Sequence, residues 1–211
     1  MIRNDGVSNS VIKRLPRYYR FLGELKEKGV VRISSKDLSN KMGFTASQIR
    51  QDLNCFGGFG QQGYGYNIES LYNEIGKILG VDKTRNAILI GAGNLGKAVA
   101  LHMSFEARGF NIIGIFDKNK ALVGQLLRGL PIRHTDNLFD FCKDNSPTVA
   151  VLCIPSSAAE ELAPQLVDLG IKGFWNFSHY DISANYPEVA VENVHLSDSL
   201  MKLSYHVSNI E

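Results

Sequence analysis

Residues 91–96 read Gly-Ala-Gly-Asn-Leu-Gly, between the apolar run AILI at 87–90 and the helix-prone stretch KAVALHMSFEARG at 97–109. A glycine turn that joins a strand to a helix has the form that meets a pyrophosphate. Gly91 permits the tight turn, Gly93 lets the backbone approach the ligand, and Gly96 lets helix and strand pack closely. Ala92, Asn94 and Leu95 complete the turn, and the unpaired N–H groups of the helix start face the phosphates. NIIGIFD follows as a second strand and ends in Asp117, about twenty positions beyond the glycines. An acidic side chain there takes the adenosine ribose diol and favours NAD over NADP. Lys118 and Lys120 flank it and leave the phosphorylated coenzyme open as an alternative. A further strand, TVAVLCIP, places the corner Cys153-Ile154-Pro155-Ser156 at its carboxyl end, where ligands sit in an open parallel sheet. Ile154 and Pro155 join the candidate coenzyme site on that ground.

A second constellation lies upstream. In TASQIRQDLNCF, residues 45–56, Ile49, Leu53 and Phe56 step by four and three and form a buried stripe. Ser47, Arg50, Gln51 and Asn54 fall on the opposite face. Arg, Gln and Asn carry the donors and acceptors that read guanine and adenine edges in a major groove. A solvated helix face would hold the same residue types, so the neighbours have to decide. Asp52 is excluded from such a face because phosphate would repel it, and an internal ion pair is expected instead. FGGFGQQGYGYNI, residues 56–68, then crowds five glycines and four aromatics around Gln61 and Gln62, the composition of a small hairpin. A helix-turn-helix followed by a hairpin is a winged helix, whose wing touches phosphate or the minor groove. The candidate DNA contacts are therefore Ser47, Gln48, Arg50, Gln51 and Asn54 from the helix, with Gln61, Gln62 and Tyr64 from the wing.

Each constellation needs a frame. SNSVIKRLPRYYRFLGELKEKG, residues 8–29, places Val11, Leu15, Tyr18, Leu22 and Leu25 at helical spacing, with Pro16 expected to end a first turn or kink the helix. Ser34 with Asp37, and Thr45 with Gln48, stand at capping-box spacing and open two short helices across Gly43. NIESLYNEIGKILG adds a helix with Ile68, Leu71, Ile75, Ile78 and Leu79 inward. From residue 85 the pattern becomes strand–helix–strand, and it continues through helix SSAAEELAPQLVDLG and strands GIKGFWNFS and EVAVENV. The expected architecture is α/β: a winged helix-turn-helix domain at 1–80, a Rossmann-type parallel-sheet domain at 81–195, and a C-terminal helix at 196–211. That last helix carries Leu196, Leu200, Leu203, Val207 and Ile210 as an apolar seam, to lie on its own sheet or on a second subunit. The second is favoured, because a winged-helix protein reading a two-part site needs two copies.

Composition supports this division. Residues 1–80 hold 12 Lys and Arg against 7 Asp and Glu, whereas the remainder holds 11 against 14, so a basic module that suits a polyanion precedes an acidic one. Cys55, Cys142 and Cys153 are odd in number and widely spaced, which argues against disulfides and a metal site and for a reducing cytoplasm. No apolar run reaches the length of a membrane span, and the N-terminus lacks a secretory core. The five histidines, His102, His134, His179, His195 and His206, are general acid–base candidates by type only, and no spacing makes one catalytic. A small NAD-dependent dehydrogenase is one alternative. A CoA-binding module is another, because the unit CIPSSAAEELAPQLVDLGIKGFWN also resembles the nucleotide fold of acyl-CoA synthetases.

Taken together, RLPRYYRFLGEL, QIRQDLNCFGGFG with its GYGYNI wing, GAGNLG with Asp117, and the terminal LMKLSYHV resemble the Rex family of redox-sensing transcriptional repressors, from about residue 8 to residue 210. The resemblance implies a homodimer with exchanged C-terminal helices that binds a palindromic operator when the cell is oxidised. It further implies that NADH, a sensed ligand and not a catalytic cofactor, releases the DNA. Family members couple an Arg of the first helix to a Tyr and an Asp near the nicotinamide. Arg20 matches the first, while His102 and His195 occupy the other two places. Gln51 stands where the family usually has Lys.

Overall fold

The computed structural model describes residues 7–56, 60–61 and 64–210 and separates the chain into two compact units, Met1–Asp82 and Lys83–Glu211. Each unit has its own core. In the first, α1 (Asn9–Glu27) buries the five stripe residues read from the sequence, Val11, Leu15, Tyr18, Leu22 and Leu25. The helix continues through Pro16, which is exposed and does not end the first turn. The apolar stripe holds both sides of the proline to one core, which offsets the single backbone N–H it removes.

β1 (Arg32–Ile33), α2 (Ser35–Met42), α3 (Ala46–Asn54), β2 (Gly60–Gln61), β3 (Gly65–Asn67) and α4 (Ile68–Leu79) complete the unit. The caps are largely those expected. Ser34 accepts from the Asp37 N–H at 3.0 Å and Thr45 from the Gln48 N–H at 3.1 Å, while Gly43 ends α2 in the left-handed region at φ 68°. The second box is only half formed, since the Gln48 side chain does not reach back to Thr45 but turns to Asp52. The hairpin β2–β3 is antiparallel, and β1, not foreseen, pairs with β3 to make a three-stranded sheet. Ile68, Leu71 and Ile75 of α4 are buried, and Ile78 and Leu79 pack half-buried against the same core.

In the second unit, β4 (Arg85–Ile90), β5 (Phe110–Asp117), β6 (Leu126–Leu127), β7 (Leu130–His134), β8 (Val149–Leu152), β9 (Gly173–Asn176) and β10 (Ala190–Asn193) form one sheet, ordered β10-β9-β8-β4-β5-β7-β6. All neighbours run parallel except β6 against β7. The order reverses between β4 and β8, and a doubly wound sheet binds its ligand at that reversal. α6 (Leu138–Asn145) and α7 (Ser156–Asp168) cover one face with Leu138, Cys142, Ala159, Ala163 and Leu166. α5 (Asn94–His102) covers half of the other with Val99 and Ala100.

α5 is shorter than the helix read at 97–109. It starts three residues earlier and stops at His102, and a separate 3-10 turn takes Glu106–Arg108. The stop has a tertiary cause. Arg128, from the β6–β7 turn, donates to the Ala100 carbonyl at 2.8 Å and pairs with Glu106, closing the helix end from outside.

Among the described residues no helix of this unit lies on the remaining half of that sheet face, over β8 to β10. The connection from β9 to β10 contains only the four-residue α8 (Ile182–Asn185). An open apolar groove of about 750 Å³ results, lined among others by Val149, Val151, Trp175 and Val191. α9 (Leu196–Ser208) has no buried residue, with Leu196, Leu200 and Leu203 each more than half exposed. The helix therefore does not lie on its own sheet. Among the described residues no helix is long and apolar enough to cross a membrane.

Candidate functional sites

The glycine turn sits at the topological reversal. The Gly91 N–H donates to the Phe116 carbonyl and the Cys153 N–H to the Ile90 carbonyl, both at 2.8 Å, so the turn, β5 and the end of β8 are tied together. The three glycines divide by function. Gly91 has φ 97°, and a Cβ there would run into the Cys153 carbonyl. A Cβ on Gly96 would run into the carbonyl of Gly91. Gly93 is exposed, caps α5 without a side chain, and has nothing within 4 Å of where its Cβ would lie. Gly91 and Gly96 thus serve packing, whereas the hydrogen at Gly93 keeps open the approach to the first N–H groups of α5.

A cleft of about 340 Å³ opens above this turn. It brings together six residues expected from the sequence: Gly91, Gly93, Asp117, Lys118, Ile154 and Pro155. Thr135, Glu161 and Leu162 join them and carried no sequence signal, since they come from the start of the α6 region and from the middle of α7. Ala92 and Gly96 lie buried beneath the cleft, and Asn94 and Leu95 are exposed on the first turn of α5. Asp117 has a second task. Its Oδ2 accepts from the Ala92 N–H at 2.6 Å and its Oδ1 from the Asn119 N–H at 2.8 Å, so the carboxylate braces the glycine turn as well as facing the cleft.

His102 and His195 are not lining residues of this cleft. His102 is exposed at the far end of α5, about 12 Å of helix from the glycine turn. His195 packs beside His179, ring centroids 5.2 Å apart, with Nδ1 3.8 Å from Asp198. Arg20 is exposed on α1. Burial pushes the thiol of Cys142 up to about 11 and that of Cys153 up to about 12, so both are protonated near neutrality. Cys55 is exposed, its thiol directed to the Gln51 carbonyl at 3.3 Å.

The helix-turn-helix presents the other site. Ser47, Arg50, Gln51 and Asn54 are exposed along one face of α3, and Ile49, Asp52 and Leu53 are buried on the opposite one. Gln48 lies between, half-buried, with its amide nitrogen donating to Asp52 Oδ1 at 2.8 Å. Arg50 donates to Ser35 Oγ at 3.1 Å, which steadies the guanidinium near the start of α2. In the hairpin Tyr64 is 70% exposed. The backbone of Gln61 belongs to β2, its side chain is not described, and Gln62 lies outside the described residues.

Asp52 is fully buried and ion-paired, as its position on the inner face of the helix demanded. Arg14 reaches it in bidentate fashion, Nε to Oδ2 and Nη2 to Oδ1, both at 2.7 Å, and the Tyr18 hydroxyl donates to Oδ2 at 2.9 Å. Desolvation pushes its carboxyl up, but the hydrogen bonds from Arg14, Gln48 and Tyr18 outweigh that and hold it below the usual carboxylate range.

Comparison with known proteins gives a family match for each unit. A family model described as the N-terminus of putative DNA-binding proteins matches residues 6–54, and one described as a CoA binding domain matches residues 82–180. The redox-sensing transcriptional repressor Rex of Clostridioides difficile is 53% identical over 206 residues, 97% of each chain. That of Thermoanaerobacter pseudethanolicus is 54% identical over all 211 residues of this chain and 94% of its own. Among solved structures, the Rex-family repressor RSP in complex with NAD+ and operator DNA superposes with a TM-score of 0.89, at 55% identity, over 96% of this chain and 93% of that one. RSP in complex with NADH gives 0.88, at 51% identity, over 98% and 96%.

Proposed function

From its membership of the Rex family of redox-sensing transcriptional repressors, to which this chain belongs, we infer that it holds operator DNA through α3 and the wing, and that NADH in the glycine cleft releases it. The observation that carries this reading is the pairing, in one chain, of a helix-turn-helix with an exposed polar face and a nucleotide cleft at a sheet reversal. RSP, so similar over its length, has been solved both with NAD+ and operator DNA and with NADH. The nucleotide is read, not turned over, and the reading takes place in the cytoplasm beside the DNA.

The energetics set a condition. A ligand that binds both settings of the protein equally shifts nothing, so NADH has to favour the released setting more than NAD does. The positive ring of oxidised nicotinamide, absent from the reduced ring, is the difference available. By reciprocity operator DNA weakens NADH binding by the factor through which NADH weakens DNA binding.

A palindromic operator calls for two copies of the reading helix. The seam of α9 and the open face over β8 to β10 are complementary in character, and we assign them to a homodimer in which each chain's α9 packs on its partner. Arg20, His102 and His195, all at least partly accessible in the single chain, are the switch residues of this proposal, with a partner side chain completing the set.

A band-shift titration on a palindromic duplex, run with NAD, with NADH and with neither, tests the reading. Binding without ligand and with NAD, and at least about tenfold weaker binding with NADH, is expected, equivalent to about 1.4 kcal/mol of coupling. Unchanged affinity with NADH rejects it. Calorimetric competition between NADH and CoA checks the ligand class that the second family model suggests. Arg50→Ala is expected to cost operator binding about 1–3 kcal/mol if the guanidinium contacts a guanine. Equal losses on operator and random duplexes would make Arg50 a phosphate contact instead.

A further inference from the structure

Resting on the DNA-binding reading above, we propose that Asp52 is the positioning residue of the operator-reading helix: its carboxylate, locked to Arg14 and Tyr18, fixes the rotation and slide of α3 on α1 and thereby sequence discrimination.

At about 100° per residue, Asp52 points roughly 150° away from the centre of the Ser47, Arg50, Gln51 and Asn54 face. It touches no base from there. It does receive four hydrogen bonds, two from Arg14, one from Tyr18 and one from Gln48, all within 2.9 Å. Three of the four come from α1. The carboxylate is fully buried, and Tyr18 is buried with it.

A buried ion pair is weak evidence for stability, since a well-packed apolar set at the same place is often as stable or more so. Its better use is to select one arrangement. The neighbouring contacts of Ile49 and Leu53 with the core are apolar and non-directional, so they tolerate a small roll or slide of the helix. A bidentate guanidinium–carboxylate pair does not, because both bonds lengthen or bend at once. Hydrogen bonds to base edges share that intolerance, whereas attraction to phosphates is sequence-independent. Loss of the lock is therefore expected to reduce discrimination and to spare non-specific affinity. Gln48 belongs to the lock too, which removes its amide donor from the reading face.

The test uses the full chain and two duplexes: the palindrome that the wild type selects from a randomised library, and a scrambled duplex of equal composition. In the variant Arg14→Met with Tyr18→Phe and Asp52→Leu, the ion pair and the tyrosine hydroxyl are replaced by apolar groups, so the core keeps its volume and leaves no charge unpaired, while the half-buried Gln48 can turn its amide to water. A cooperative melt, affinity for the scrambled duplex within about twofold of wild type, and a selected-to-scrambled ratio at least about tenfold lower are expected, the scale of one misread base pair. A folded variant that keeps its ratio overturns the proposal, and so does an equal loss on both duplexes, which would make Asp52 a residue of the fold alone. If the triple variant does not fold, Tyr18→Phe decides by itself. It removes one locking bond without a cavity, and a ratio about threefold lower supports the assignment while an unchanged ratio overturns it. A wild-type chain that selects no duplex overturns the DNA-binding reading itself, and the variants are not needed to see that.

Discussion

Gly93→Val yields a protein that holds operator DNA as tightly as the wild type and no longer answers NADH. The prediction follows from where a side chain would go. At Gly93 the backbone φ is −70°, which any residue adopts, and the Cβ would enter open space. A Cβ meets nothing there, and the cost to the fold is confined to the modest preference of a helix N-cap for glycine over valine. The ligand meets the obstacle, because the added carbons would occupy the approach to the first N–H groups of α5, where a pyrophosphate has to come within hydrogen-bond distance. Loss of that contact is expected to weaken NADH at least about 100-fold, or about 2.7 kcal/mol. Gly96→Ala is the contrasting variant. Its new methyl collides with the backbone of Gly91, so turn and helix have to separate, at about 1–3 kcal/mol or more. The second unit should then melt several degrees lower. NADH calorimetry, operator titration and thermal melts on both variants separate the two outcomes. Gly93→Val with wild-type NADH affinity would mean that the coenzyme does not cross the turn.

The division was already legible in the sequence, because the strand–turn–helix context gives the tight turn to Gly91, the ligand's approach to Gly93 and the close packing to Gly96, and the space around each glycine is what those roles require. Other parts were plain too. The five-residue stripe of α1 and the capping side chains Ser34 and Thr45 are local signals, and they act locally in the fold. Six cleft residues were legible because a strand–turn–helix fixes the end of β4, the end of β5 and the end of β8 relative to one another. What escaped depends on distant partners. The end of α5 is set by Arg128, some twenty-five residues away, so KAVALHMSFEARG reads as unbroken helix while the chain turns at Met103. β6 and β7 are short, Pro131 interrupts the pattern, and α6 buries only Leu138 and Cys142, too few positions to show a period. The spacing of Gln48 to Asp52 is local and allows their hydrogen bond, but the partners that hold the carboxylate in place, Arg14 and Tyr18, lie 38 and 34 residues away, so Gln48 looked free for DNA.

The largest loss of function is expected from α9. Leu200→Glu with Leu203→Glu should give a folded monomer whose operator affinity is lower by about 100-fold or more, because each half-site then has to be bound without the other. Four of the five seam residues, all but Val207, stand more than half exposed in the single chain, and burying each leucine against a partner contributes about 1.5–3 kcal/mol. Four to five such residues per chain, counted in both copies, outweigh the cost of association. Two carboxylates in the seam reverse this, since the groove is lined largely by apolar side chains such as Val149, Val151 and Trp175, and the cations at its lining, Arg85, Arg108 and Lys172, would recover only part of the cost of stripping both carboxylates of water. The chain carries its own reporter. Trp175 is its single tryptophan and lines the uncovered face of the sheet. A partner helix seated there removes water from the indole, so the variant should emit at longer wavelength than the wild type, alongside the sedimentation coefficient of a single 23.4 kDa chain. The cleft proposed for NADH lies at the carboxyl ends of β4 and β8, away from the seam of α9, and none of its lining residues belongs to that helix. Coenzyme affinity in the variant should consequently survive even where the response of DNA binding to it is lost. A double variant that sediments as the wild type does, with Trp175 emission unmoved, would show that α9 holds no second copy.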